Sequence, residues 1–316
     1  MDSVPFSFCM DVMGNIQTYQ YKELSNVLSG RWKAAAGRYD DNVHDVRLSI
    51  YCEDGEWGYA TYMCGQEISY EDLLPLDRRY VRCDNIYVSS EPDSCDFPFK
   101  CSKEKLFNQV IPFFIQRSSP YSGIVFHEFF GDIPMEHAHV YLNSLRSYID
   151  RGLRKTHLDL QYYGQESEDF VAAWVDSDRS DRDLCLDSSW PHTQAVEDLV
   201  LKYLRPRNRT DFFINTSRRE SEECLKMNTT LLKATLDTWS KLNKKCFFRV
   251  GGRWTEDMET LLSVPLPPNV TRAEPKADEE NVIFWTREDG STLNCWISWE
   301  EPHRYINICW SDEQIL

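Results

Sequence analysis

The sequence predicts an α/β protein in which strands and helices alternate along most of the chain. Short apolar segments recur every 26 to 38 residues in the middle of the chain. Stretches with helical apolar spacing separate these segments, and the pattern changes near both ends of the chain. An interval of this length leaves room for one helix, so we expect successive strands to be parallel neighbours.

The first forty residues are predicted to be helical. Val4-Pro5 precedes apolar residues at helical spacing, and the spacing continues through residues 24–32. Alternation replaces it in residues 46–52 and 57–61, which flank Asp54-Gly55. Because Asp-Gly accepts the positive φ angles of a tight turn, this pattern predicts a β-hairpin.

The strands of the central region are predicted from short apolar segments: Ile86-Tyr87-Val88, Ile124-Val125-Phe126, Leu158-Asp159-Leu160, Leu184-Cys185-Leu186, Phe212-Phe213-Ile214 and Phe247-Phe248-Arg249-Val250. Amphipathic helices are predicted around residues 138–149, 196–203 and 232–239. Gly251-Gly252-Arg253 follows the last strand and is predicted to be a tight turn, with anion binding as the alternative.

Two folds fit this order of elements. One is an irregular, curved array of strand–helix units like that of leucine-rich repeats, and the other is a doubly wound open sheet. Leu158-Asp159-Leu160 and Leu184-Cys185-Leu186 alternate apolar with polar residues, whereas a sheet covered on both faces favours continuous Val and Ile. The alternation therefore favours the leucine-rich-repeat-like array.

The last third of the chain changes again after Leu262. Prolines within residues 264–280 indicate a linker. Val282 and Phe284 then begin a three-stranded meander that turns at Glu288-Asp289-Gly290. The predicted organisation is a helical segment (residues 1–40), a hairpin (41–66), a strand–helix repeat domain (67–264), and a linker with the meander (265–316).

The composition limits the partners that we expect. The formal net charge is −16, and lysines and arginines never form a run of more than two. Such a chain lacks the basic surface of a nucleic-acid binder and would be repelled by anionic membranes. No signal segment or membrane span is visible, so we expect a cytoplasmic or nuclear protein with reduced cysteines.

No catalytic, cofactor-binding or metal-binding motif is expected. His127-Glu128 and Glu136-His137-Ala138-His139 lack the four-residue histidine spacing of a zinc helix. One enzyme hypothesis stays open: an α/β site at the carboxyl ends of parallel strands, near His127, Gln161 and Asp187.

Polar and aromatic residues at the strand ends are the candidates for binding a protein target. Gln161 and Tyr163 follow one predicted strand, and Asp187 and Trp190 end or follow another. Tyrosine and tryptophan dominate binding hot spots, although most aromatic residues of this kind belong to a core. We therefore expect a non-catalytic protein that holds other proteins.

Both ends of the chain resemble a known family. Val4-Pro5 with Phe8, Val12, Ile16, Leu24, Leu28 and Trp32 is similar to an F-box. Residues 286–290 and 306–310 look like the terminus of the nematode F-box-associated domains.

The resemblance implies that the chain is a substrate receptor of a cullin-type ubiquitin ligase. The residues that would bind a Skp-type adaptor are Val4, Pro5, Phe6, Phe8, Val12, Leu24, Leu28 and Trp32, and the repeat domain would hold a protein target. Ser29-Gly30 interrupts the region where adaptor-facing helices are expected. A glycine inside a helix lowers its stability by about 1 kcal/mol relative to alanine, so the match to an F-box is weaker here. The alternative is a repeat-type interaction protein in which residues 1–39 only cap the first strand.

Overall fold

The computed structural model consists of helices and strands in two compact units, Met1–His157 and Leu158–Leu316. This confirms the predicted mixed α/β class. The boundary between the units falls inside the segment predicted as one repeat domain. The structure describes residues 4–16, 20–91, 99–126, 133–149, 157–177, 181–205, 209–215, 223–242, 246–273, 281–300 and 303–310.

The first unit begins with three helices, as predicted: α1 (Phe6–Met13), α2 (Tyr21–Val27) and α3 (Gly30–Asn42). Both α1 and α2 pack against α3. The chain between α2 and α3 is extended at Leu28 and Ser29, and α3 starts at Gly30 with a φ of +57°. Glycine adopts this left-handed conformation without the steric cost that a side chain brings. The Ser29-Gly30 pair thus separates two helices instead of weakening one.

The sheet of the first unit follows. Its strands are β1 (His44–Glu53), β2 (Glu56–Met63), β3 (Gln66–Glu67), β4 (Val81–Ser89), β5 (Phe99–Lys100) and β6 (Ser118–Phe126). They lie in the order β6-β4-β1-β2-β3, with β5 also paired to β2. β1 and β2 form the predicted hairpin, and Asp54 (φ 48°) and Gly55 (φ 80°) make its turn. β4 is parallel to β6, as predicted, and it is also parallel to β1, which the sequence marked only as a hairpin strand.

The remaining helices of the first unit connect these strands. They are α4 (Tyr70–Leu73), α5 (Lys103–Lys105), a π-helical turn (Leu106–Val110), α6 (Ile111–Gln116) and α7 (Met135–Ile149). The helix predicted around residues 138–149 corresponds to α7, which buries Ala138, Tyr141, Leu142, Leu145 and Ile149.

The second unit repeats the alternation of strands and helices. Its parallel region contains β7 (His157–Leu160), α8 (Gln165–Asp176), β8 (Asp181–Asp187), α9 (Gln194–Tyr203), β9 (Arg209–Asn215), α10 (Thr229–Trp239) and β10 (Phe247–Trp254), and α11 (Met258–Ser263) follows. The four strands are neighbours in chain order, and β9 is parallel to both β8 and β10. A doubly wound sheet would reverse its strand order at a switch point. The run from β7 to β10 has no such reversal.

The strands of this region bury alternate residues. The apolar residues that alternate in this way and are buried are Leu158, Leu160, Leu184, Leu186, Phe212, Ile214, Phe248 and Val250. Helices cover that face: α8 packs beside α9 and α9 beside α10, and the rings of Tyr203 on α9 and Phe212 on β9 lie 6.0 Å apart. The residues between the buried ones point to the opposite face, because side chains alternate along a strand.

The chain ends in antiparallel strands. These are β11 (Val270–Ala273), β12 (Val282–Arg287), β13 (Thr292–Glu300) and β14 (His303–Trp310). The last three form the predicted meander, and β14 continues the sheet by pairing with β10. β11 pairs with β12 and lies inside the segment interpreted as a linker. Pairing along β12 therefore orders part of a proline-containing segment.

The tight turn predicted at Gly251-Gly252-Arg253 is wrong, because all three residues lie within β10. The structure gives the glycines a packing role. A Cβ atom at Gly251 would lie 2.8 Å from Cε1 of Phe213, and one at Gly252 would lie 2.9 Å from Cβ of Ile214. The missing side chains leave room for neighbours on β9, so these glycines indicate close packing here and not a turn.

Candidate protein-binding surfaces

The N-terminal helices have an inner side that is fully packed. Cys9, Met10 and Met13 of α1 are buried in one cluster with residues of α2, α3 and the start of β4. The Tyr21 hydroxyl donates to the main-chain oxygens of Met13 (2.8 Å) and Ile16 (3.0 Å). Burial raises the pKa of Tyr21 to about 12, so the hydroxyl stays protonated as a donor. This side of the helices is structural.

The outer side carries the residues predicted to bind an adaptor. Phe8 is 52% exposed, and its ring meets that of Trp32 edge-on at 6.1 Å. Val12 follows Phe8 by one helical turn, lies on the same side of α1 and is half-buried. We call Phe8, Val12 and Trp32 the N-terminal apolar face.

The other predicted adaptor residues lie around this face. Val4, Phe6, Leu24 and Leu28 are half-buried against the inner cluster, whereas Pro5 is exposed. Val27, which the prediction did not include, is 77% exposed. The segment therefore packs inward through one set of residues and presents a second apolar set to solvent.

The four residues predicted to bind a target are brought together, but their side chains are buried. Gln161 and Tyr163 lie in the loop after β7, and Asp187 and Trp190 lie at the end of β8 and in the loop after it. The Trp190 indole donates to the main-chain oxygen of Leu160 at 2.7 Å, and the Tyr163 hydroxyl donates to the Gln161 side chain. Their described contacts hold adjacent loops in place. No surface for a partner is formed by these side chains.

The enzyme hypothesis receives no support from the same region. His127 lies outside the described residues, and Gln161 and Asp187 are buried in the internal network. Within the ranges that the structure describes, no three His, Cys, Asp or Glu side chains come close enough to hold a metal ion. His137, which belongs to the histidine-containing segment considered above as a metal motif, contacts Cys52, with Nε2 and Sγ 3.6 Å apart.

A second candidate surface is the sheet face of the second unit that lies opposite the helices α8, α9 and α10. Strand register places Asp183, Asp211, Arg249 and Cys309 in one row across β8, β9, β10 and β14. Cys185, Phe213, Gly251, Asn307 and Trp296 form the next row, which extends to β13. We call these two rows the open face. Sequence alternation predicted that such a face exists, but its members depend on the register of five strands.

An ion pair lies near the centre of the open face. Arg249 donates to both carboxylate oxygens of Asp211, each at 2.9 Å, and its guanidinium lies 4.6 Å from the ring centroid of Phe213. The Asp211 side chain is 7% exposed and that of Arg249 is 44% exposed. A planar guanidinium fits a carboxylate in this two-bond geometry, so the pair fixes the arginine while leaving its outer edge accessible.

Two exposed aromatic residues belong to this region. Phe247, two residues before Arg249 on β10, is 40% exposed, and its ring centroid lies 6.0 Å from the guanidinium carbon of Arg249. Trp296, in the next row on β13, is 41% exposed. The thiols of this face are not activated: burial, assisted by Asp159, raises the pKa of Cys185, and burial also raises that of Cys309. A protonated thiol is a poor nucleophile. The chemistry of the face is therefore that of recognition, with aromatic rings around a fixed charge pair.

Comparison with family models, with curated proteins and with solved structures found no match. Among the described helices, none combines the length and apolar character that crossing a bilayer requires.

Proposed function

We propose that the chain is a substrate-recognition protein of a cullin-type ubiquitin ligase. The N-terminal apolar face binds a Skp-type adaptor, and the open face of the second unit holds a protein target. The strand–helix rows act as an irregular leucine-rich-repeat-like array, and the chain supplies no catalytic residues. The expected setting is the cytoplasm or nucleus.

The observation that carries the adaptor assignment is the half-exposed Phe8 ring on Trp32. An aromatic pair held by a packed layer beneath it has little conformational entropy to lose on binding. Exposed aromatic residues supported in this way are typical of binding hot spots. The inner cluster also explains why the helices fold before a partner arrives.

The open face supports the target-binding half of the proposal. Its aromatic residues and arginine belong to the types that are enriched in interface cores. The helices cover the other side of the same strands, so a partner would meet a rigid sheet. Rigid sites lose less free energy to ordering than mobile loops do.

Adaptor binding is tested with a purified Skp-type adaptor and the Phe8→Asp variant. A charge on this ring should weaken binding by at least about thirtyfold, the equivalent of about 2 kcal/mol at a hot spot. Met135→Asp on α7 is the matched control, because Met135 is 58% exposed in the same unit. Equal adaptor affinity of Phe8→Asp and wild type, measured by calorimetry, would remove the adaptor from the proposal.

Pro5→Ala combined with Leu28→Asp tests the same surface from the neighbouring predicted residues. Recovery of the adaptor in a pull-down should fall for this double variant and persist for Met135→Asp. If adaptor binding fails in wild type while a target is bound, the second candidate applies: a repeat-type interaction protein unrelated to ubiquitin. The residues of the open face are far from α1–α3 along the chain and belong to the other unit. A target could therefore bind the open face without an adaptor, and this favours keeping the second candidate.

A further inference from the structure

A groove in the first unit carries a concentration of positive charge that the proposed function does not use. Its volume is about 340 Å³, and four arginines line it: Arg78, Arg79, Arg82 and Arg117. The formal net charge of the whole chain is −16. We call this the arginine groove. It lies where the end of α1, the chain before β4 and the end of α6 meet.

Two of the arginines are already engaged. Arg82 is buried and donates to the main-chain oxygens of Met13 and Gly14, at 3.2 and 3.0 Å, just after α1 ends. Arg79 forms a two-bond ion pair with Asp77, at 3.2 and 2.9 Å. Arg82 therefore shapes the groove, and the charge of Arg79 is largely balanced.

The other two arginines, Arg78 and Arg117, have no acidic partner among the described residues. Neither Arg78 nor Arg117 forms an ion pair within the part of the chain that the structure describes. Arg117 is half-buried, with its guanidinium carbon 3.5 Å from the ring centroid of Phe113 and one terminal nitrogen donating to the Phe113 oxygen at 2.8 Å. Its Nε is buried and has no hydrogen-bond partner among the described residues.

The unpaired charges are close enough to disfavour each other. Burial lowers the pKa of Arg117, and the positive charge of Arg78 lowers it further. A desolvated guanidinium next to a second positive charge is costly, and a bound anion would offset that cost through its opposite charge. Among the described residues that line the groove, Asp11 is the one carboxylate, and it is exposed, so solvent screens its repulsion of an anion.

We propose that the arginine groove binds a small molecule that bears phosphate groups. Guanidinium groups match phosphate oxygens with two parallel hydrogen bonds, and Ser118 and Asn15 in the lining add neutral polar groups. The volume of about 340 Å³ lies at the lower end of the range for small-molecule sites, about 300–1,000 Å³. The ligand would bridge the N-terminal helices and α6, and this inference does not depend on the proposed adaptor or target.

Calorimetry of the full chain with pyrophosphate tests the inference, with potassium chloride at matched ionic strength as the reference. Wild type should bind pyrophosphate saturably and more tightly than inorganic phosphate. Arg78→Gln should weaken binding about tenfold, because Arg78 is exposed and its loss removes one charge-assisted contact without disturbing a core. Arg205→Gln, an exposed arginine in the second unit, should change the affinity by less than about twofold.

Arg117→Lys gives a second, independent variant. It keeps the charge but removes the planar, two-bond geometry of the guanidinium, so a loss of affinity similar to that of Arg78→Gln is expected. Absence of saturable binding in wild type, or equal weakening by Arg205→Gln, would overturn the inference. Tighter binding of a phosphoserine peptide than of pyrophosphate would overturn the assignment to a small molecule.

Discussion

Replacing Trp190 by phenylalanine measures whether this residue belongs to the framework or to a binding surface. Trp190 is fully buried, its indole donates to the Leu160 oxygen at 2.7 Å, and its ring contacts Tyr162 edge-on at 5.2 Å. Trp190→Phe leaves a buried carbonyl without its donor, which costs about 1–3 kcal/mol, and the smaller ring loses about 1 kcal/mol of packing. We expect the free energy of unfolding to fall by about 2–4 kcal/mol.

Urea denaturation followed by far-UV circular dichroism is the assay, with Trp296→Phe as the matched control. Trp296 is 41% exposed, so its replacement should change the free energy of unfolding by less than about 0.5 kcal/mol. The expected loss at Trp190 is a large fraction of a typical domain stability of about 5–15 kcal/mol. If the two variants unfold at the same urea concentration, the interpretation of Trp190 as framework is refuted.

Three further perturbations test other parts of the structure. Arg287→Met should lower the free energy of unfolding by about 3–5 kcal/mol, because the buried guanidinium donates to the main-chain oxygens of Trp239 and Leu242. A lower thermal midpoint of unfolding would show this loss. Gly251→Ala should lower the free energy of unfolding by about 1–3 kcal/mol, because the added Cβ clashes with Phe213. Gly37→Ala on α3 should raise it by up to about 1 kcal/mol, because a Cβ there meets nothing within 4 Å. Urea titration of both variants tests this difference. Stability should be retained below pH 10 and fall between pH 10 and 12, because burial raises the pKa of Tyr21 to about 12 and its phenolate cannot donate. Tyr59 has its pKa raised to about 12 as well, so Tyr21→Phe should reduce the slope of a pH series of unfolding midpoints without abolishing it. A wild-type midpoint constant to pH 12 would contradict the sign.

Local signals predicted much of the fold. Asp54-Gly55 predicted the hairpin because the turn depends on the φ angles of these two residues alone. Alternation in residues such as Leu184-Cys185-Leu186 predicted one-sided strands, because the period of two reflects burial of one face. Parallel neighbours followed from the interval between strands, which only a crossover can fill.

Properties that depend on distant residues were not predictable. Gly251 and Gly252 resemble a turn in sequence, but the side chains of β9 above them determine that they extend a strand. Tyr163 and Trp190 stand at strand ends, where exposure and burial look alike until the neighbouring loop is placed. The arginine groove collects residues from four separated segments, and no local pattern marks that convergence.

The chain-order arrangement of β7 to β10 has a consequence for how such a protein can change during evolution. The two inner strands of this run, β8 and β9, are each hydrogen-bonded to the strand before and the strand after them in the chain. A duplicated or deleted strand–helix segment would therefore alter the extent of the sheet without forcing new partners on the segments that remain. Length variation among descendants of such a chain should therefore occur in whole strand–helix segments. Each gained or lost segment would add or remove one strand, with the side chains that this strand presents for recognition.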